Sequence, residues 1–152
     1  MSAAEIRERV AAVLDPELPM VTIADLGILR AVEVDGGAAT VRITPTYAGC
    51  PAMEAIADDI VAALAPMPVR VEVVLAPAWT TDWITAAGRA ALDAAGIAPP
   101  GPVAQVSLEL AVRCPNCGSL ETRELSRFSS TACKALRVCT TCREPFDQVK
   151  PL

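Results

Sequence analysis

The sequence predicts an α+β chain of two modules, a small α-β-β-α-β-α domain followed by a C-terminal cysteine ribbon. Three observations predict it. Helical and alternating apolar periodicities succeed one another over residues 1–97. The segment Ala98-Pro99-Pro100-Gly101-Pro102 then breaks the pattern, since it can neither continue a helix nor donate ladder hydrogen bonds. Five of the six cysteines (Cys114, Cys117, Cys133, Cys139 and Cys142) crowd into the last 39 residues. The expected boundaries are a domain over 1–97, a proline-rich linker and strand over 98–112, and the ribbon over 113–152.

The elements follow in order. Ser2-Ala3-Ala4-Glu5 has the form of a capping box, and Ile6, Val10, Val13 and Leu14 continue at helical spacing, so a first helix is expected to run to about Leu14. Pro16 and Pro19 stop it within Asp15-Pro16-Glu17-Leu18-Pro19. Ile28–Val34 and Ala39–Thr44 alternate with period two across Asp35-Gly36-Gly37, the pattern of a hairpin. Met53, Ile56, Ile60, Val61 and Leu64 recur at helical intervals, with Pro51 at the first helical position and Cys50 at the cap. Val69–Leu75 is β-branched and apolar, a third strand. Thr85–Ala95 is an alanine-rich helix ended by Gly96. Such an order folds as a small sheet with helices on one face. Val103–Val112 is expected as a strand leading into the cysteine module.

Composition excludes several classes of function. Histidine is absent, so no imidazole can serve as general base, complete a catalytic triad or build a two-His-one-carboxylate iron site. Only five side chains are aromatic (Tyr47, Trp79, Trp83, Phe128 and Phe146), and 28 alanines leave a core of small aliphatics. No apolar run approaches the ~18 residues of a membrane helix. Glu5, Arg7, Glu8 and Arg9 occupy the place of a signal peptide's apolar stretch. A cytoplasmic protein with no membrane partner is expected. Residues 1–100 hold 13 acidic and 6 basic side chains, whereas residues 101–152 hold 5 acidic and 7 basic, which sets the modules apart electrostatically.

The strongest chemical signal is Cys114-Pro115-Asn116-Cys117-Gly118 paired with Cys139-Thr140-Thr141-Cys142. Each C-x-x-C turn aims two thiolates at one point, and two turns supply four sulfurs tetrahedrally, which suits Zn²⁺. Iron in a rubredoxin-like site has the same ligand set. Gly118 lets the backbone curl so that amides point at sulfur. A closed site of this kind is a folding staple, which a short module with few large apolar residues needs. Cys133 is surplus, either a small buried hydrophobe or a labile thiol activated by Lys134.

Cys50 is the other candidate. At a helix N-terminus the macrodipole and unpaired amides favour the thiolate, and Gly49 allows close backbone approach; a buried inert cysteine is the alternative. Asp15, Glu17 and Asp25 flank the first turn and are able either to converge with Cys50 as hard ligands or to organise turns. Trp79 and Trp83, four apart beside Pro77, are either core or rings presented to a partner.

With these residues in view, the first module resembles the iron–sulfur assembly domain family that includes the SufT-type proteins. Asp15-Pro16-Glu17-Leu18-Pro19, Asp25-Leu26-Gly27 and Thr44-Pro45-Thr46-Tyr47-Ala48-Gly49-Cys50-Pro51 carry the likeness. The resemblance implies that the acidic turn and the cysteine before the helix form a functional pair, here Asp15 or Glu17 with Cys50. Pro77–Thr85, Ser126–Leu136 and Cys142-Arg143-Glu144-Pro145-Phe146-Asp147 extend it to the PaaD family, which supplies one component of the bacterial ring-1,2-phenylacetyl-CoA epoxidases. Where those chains continue through aromatic residues to another cysteine, this one reads Gln148-Val149-Lys150-Pro151-Leu152. The four ribbon cysteines are intact.

The resemblance implies a non-catalytic accessory component of phenylacetate degradation, acting with the oxygenase and reductase subunits to assemble iron or iron–sulfur centres. A lone thiolate cannot complete a four-ligand site, so a transient iron or cluster would need ligands from a client or from a second chain in a homodimer. Two other classes compete with it. One is a zinc-ribbon adaptor for protein or nucleic acid, suggested by Arg113, Arg123, Arg127, Lys134, Arg137 and Arg143; the acidic first module and scarce aromatics disfavour nucleic acid. The other is a thiol-dependent redox protein using Cys50.

Overall fold

The structure, a computed structural model, describes residues 1–47, 49–103 and 111–151. The chain divides into two compact units, one of Met1–Trp79 with Trp83–Thr85, the other of Thr80–Asp82 with Ala86–Leu152.

In the first unit Ser2 caps helix α1 (Ala3–Ala11). Its hydroxyl accepts from the Glu5 amide at 3.2 Å while the Glu5 carboxylate accepts from the Ser2 amide at 2.6 Å. That backbone hydrogen bond holds the Glu5 carboxyl below its ordinary pKa. Ile6 and Val10 face the core. The helix stops short of Leu14 because the Val13 carbonyl is taken by the Ile23 amide at 2.8 Å. The chain is thereby drawn into a loop whose ends bridge at Leu14 and Thr22.

Strands β1 (Leu29–Asp35) and β2 (Ala38–Ile43) form the expected hairpin, and β3 (Val69–Val73) lies parallel to β2, giving the order β1-β2-β3. Helix α2 (Ala52–Leu64) makes the crossover that a parallel pair requires. Ala39, Val41 and Ile43 are buried with Ile56, Ile60 and Leu64 of α2, so the helices cover one sheet face. On the other face Arg42 reaches Glu33 at 2.6 Å and Glu72 at 3.1 Å, and Arg70 reaches Glu72 at 3.1 Å.

In the second unit helix α3 (Ala86–Ala94) leads through Gly96, at φ +78°, into the short strand β4 (Ile97–Ala98). Arg89 of α3 donates to the Pro100 carbonyl at 2.5 Å and the Thr81 carbonyl at 2.9 Å, fastening the proline segment. Strands β5 (Thr122–Ser126), β6 (Lys134–Cys139) and β7 (Pro145–Val149) complete a sheet of order β4-β7-β6-β5. Ala98, Cys114, Cys139 and Phe146 form its core, with Val112 and Cys142 against them. Chain order groups α3 with the first module. The structure places it in the second unit, because β4 pairs in parallel with β7. The strand expected over Val103–Val112 falls largely on residues 104–110, which lie outside the described residues.

Candidate functional site

Two chain reversals bring four sulfurs together. Cys114 and Cys117 lie on a turn closed by the Gly118 amide donating to the Cys114 carbonyl at 2.9 Å, while Cys139 ends β6 and Cys142 precedes β7. The sulfurs of Cys114 and Cys142 are 3.8 Å apart, those of Cys117 and Cys139 are 3.6 Å apart, and all four lie within 4.8 Å of one another. A tetrahedral ion with Zn–S bonds of about 2.3 Å needs sulfurs about 3.8 Å apart, so the donor set fits. The cysteines are unbridged. Among the described residues these four make the only group of three or more Cys, Asp or Glu able to share an ion.

Both reversals place the residue after their second cysteine in the left-handed region, Gly118 at φ +79° and Arg143 at φ +66°. The curl aims amides inward as glycine permits, and the Cys142 amide donates to the Cys139 sulfur at 3.5 Å. That amide, against the opposing effect of burial, lowers the Cys139 thiol to about 6. The Glu144 amide favours the Cys142 thiolate, but burial and the Cys139, Cys117 and Cys114 sulfurs outweigh it and push that thiol up to about 12. One negative charge therefore settles early and opposes the next. A divalent cation at the centre removes that opposition.

Cys50 lies on the β2–α2 connection, at the carboxyl end of a parallel pair. The Thr44 amide donates to the Ile28 carbonyl and the Val74 amide to the Ile43 carbonyl, each at 2.9 Å. The turn before β1, the loop after β2 and the segment after β3 thus share one end of the sheet, where crossover connections commonly bind ligands. Helix α2 begins one residue later than expected. Pro51 is the cap, at φ −70° and ψ −16° with no side-chain capping bond, and Cys50 precedes it. The thiol is half-buried, and the Thr46 hydroxyl lies 4.0 Å from it. A Cβ built on exposed Gly49, at φ +75°, would meet nothing within 4 Å, so there is open space at Gly49 beside Cys50.

Asp15, Glu17 and Asp25 do not form a shared-ion group with Cys50 in this structure. Asp15 is 5% exposed, and its Oδ1 accepts from the Glu17 and Leu18 amides, each at 2.8 Å, holding the acidic turn closed. Asp25 accepts from the Thr22 hydroxyl at 3.1 Å and from the Thr85 hydroxyl at 2.6 Å.

For Trp79 the structure corrects the expectation of a presented ring. Trp79 is buried, and its indole donates to the Leu26 carbonyl at 2.8 Å. Trp83 is half-buried, with the Arg30 guanidinium 3.9 Å above its ring and its Cβ against Gly27. The Trp79 indole and the Cβ and backbone of Trp83 thus hold the Leu26-Gly27 turn. Gly27, at φ +76°, is the residue that sequence reasoning undervalues, since a Cβ there would come 2.7 Å from that of Trp83. Its signal is the Asp-Leu-Gly motif, which marks a turn without showing what packs against it.

Cys133 lies outside the four-sulfur cluster, with its sulfur 3.0 Å from the Thr131 hydroxyl. Lys134, which would activate it in the labile-thiol alternative, is buried with its ammonium 3.7 Å from Asp147.

Comparison with known proteins matches both units. A model of the PaaD zinc beta ribbon domain matches residues 98–150, and one of the iron-sulfur cluster assembly protein family matches residues 3–75. A protein of Escherichia coli K12 named as a subunit of 1,2-phenylacetyl-CoA epoxidase is 48% identical over 140 residues, covering 90% of this chain and 85% of that one. The chain belongs to the PaaD family. The four-sulfur cluster is accordingly the metal-binding centre of a PaaD zinc ribbon. The assembly-like unit is also similar to the Fe-S protein maturation auxiliary factor SufT of Staphylococcus aureus USA300, 38% identical over 53% of this chain and 96% of that one. A crystal structure of a domain of unknown function, DUF59, from Bacillus anthracis superposes with a TM-score of 0.55 at 29% identity, covering 59% of this chain and 90% of that one. Among the described residues no helix is long and apolar enough to cross a membrane.

Proposed function

We propose that this PaaD-family chain is a non-catalytic accessory subunit of a cytoplasmic 1,2-phenylacetyl-CoA epoxidase system that assists assembly of its iron or iron–sulfur centres. The observation that carries this reading is the 48% identity to the E. coli epoxidase subunit over 90% of the chain. The four-cysteine ribbon holds zinc as a structural ion, since four thiolates leave no open coordination position for chemistry. Iron or a cluster is cargo, handled at Cys50. The half-buried thiol, with open space at Gly49 beside it, can supply one ligand and leaves the others to a client, from either the oxygenase or the reductase component, so the cargo is not trapped. Asp15 and Glu17 serve this site through the acidic turn, Asp15 by fixing the turn's shape.

The test is complementation in cells that lack the native gene. Cys50→Ser should abolish epoxidase maturation while the purified variant keeps its fold and one zinc per chain. Full epoxidase activity with that variant would overturn the proposed role of Cys50.

A further inference from the structure

The connection between β5 and β6 is tied down at almost every residue. The Phe128 amide donates to the Ser126 hydroxyl at 3.2 Å, the Ser129 amide to the Lys134 carbonyl at 3.0 Å and the Ser129 hydroxyl to the Asp147 carboxylate. From the far end of β7 the Lys150 ammonium donates to the Arg127 carbonyl at 2.8 Å, and the Lys150 amide donates to the Cys133 carbonyl at 2.9 Å. The same ammonium lies 4.3 Å from the centre of the Phe128 ring. A loop fixed in this way loses little conformational freedom on binding.

What it holds outward is apolar and cationic. Phe128 is 65% exposed, although the chain has only five aromatic side chains. A register shift between Glu124 and Ser126 makes Leu125 a bulge residue, and it too is exposed. Among the described residues no carboxylate pairs with Arg127 or Lys150. Asp147, the nearby acid, is engaged by Lys134 and Ser129.

We propose that this hairpin tip is a docking element, with Phe128 entering an apolar pocket on a partner protein whose rim carries carboxylates for Arg127 and Lys150. Large aromatics set in a rigid frame and flanked by guanidinium groups are typical anchors of protein interfaces. The choice of partner rests on the accessory reading above, which makes it a component of the epoxidase.

The test is direct binding of the full-length protein to each purified oxygenase and reductase subunit, at low and at moderate salt, for wild type, Phe128→Ala, Phe128→Trp and Arg127→Glu. Expected is binding of one subunit by wild type, weakened at least tenfold by Phe128→Ala, retained by Phe128→Trp, and weakened by Arg127→Glu and by salt. If wild type binds and both Phe128→Ala and Arg127→Glu bind equally well, the docking element is refuted while the accessory reading stands. Absence of binding to every subunit would overturn both. Sedimentation that shows a dimer broken by Phe128→Ala, with subunit binding unchanged, would assign the tip to a second copy and refute the proposal. Should Phe128→Ala not fold, the exposed charge reversal at Arg127 still decides it.

Discussion

Asp15 illustrates how one side chain joins local chemistry to a site. A single oxygen of the buried Asp15 carboxylate satisfies two amides, so Asp15→Ala leaves both donors without that acceptor. Two hydrogen bonds to a charged group contribute about 3–6 kcal/mol together, which a lowered urea midpoint would show. Asp15→Asn keeps the acceptor and should retain most of that stability; if epoxidase maturation then falls while the midpoint holds, the charge itself acts on cargo. Gly27 is the complementary case, where absence of a side chain matters. Gly27→Ala forces a Cβ into the Trp83 Cβ at 2.7 Å and into a left-handed backbone. A loss of about 3 kcal/mol is expected, measured by thermal unfolding with tryptophan fluorescence.

The two metal-holding turns are matched in backbone but not in residue. Gly118 meets its φ of +79° without strain, whereas Arg143 adopts +66° with a Cβ. Gly118→Ala should therefore cost about 1–2 kcal/mol, and Arg143→Gly should be neutral or stabilising by up to about 1 kcal/mol, both read from unfolding of the zinc-loaded protein. The difference bears on what a sequence can reveal. Cysteine spacing announces four ligands because a C-x-x-C turn is a local device, and the capping box at Ser2 and Glu5 is equally local. The hairpin at Asp35-Gly36-Gly37 is legible for the same reason. What escapes depends on distant partners. The early end of α1 is set by Ile23, the inward turn of Trp79 by Leu26, and the two-residue strand at Ile97 by β7. Cys50 is legible as a candidate, whereas the role of Asp15 as a strut for its own turn is one of two readings that spacing cannot separate.

At the level of the assembled protein, metal loading couples to protons. Cys142 in the metal-free centre carries its proton up to about pH 12, and Cys139 loses its own near pH 6. Binding a divalent ion must expel the Cys142 proton across the whole neutral range. Zinc affinity should thus rise at least tenfold per pH unit between 6 and 9; competition titration with a chromophoric chelator would measure it. An affinity independent of pH would contradict the charge distribution. The pairing of β4 with β7 has a further consequence, for genetics rather than chemistry. Ile97 and Ala98 precede the prolines, yet Ala98 is in the ribbon's core, and the pair covers one border of its sheet. A gene split within the proline segment would strip that border from the downstream fragment and leave it adhesive toward copies of itself. The strand thus travels with the ribbon, and a fragment that begins after the prolines would demand a replacement for it.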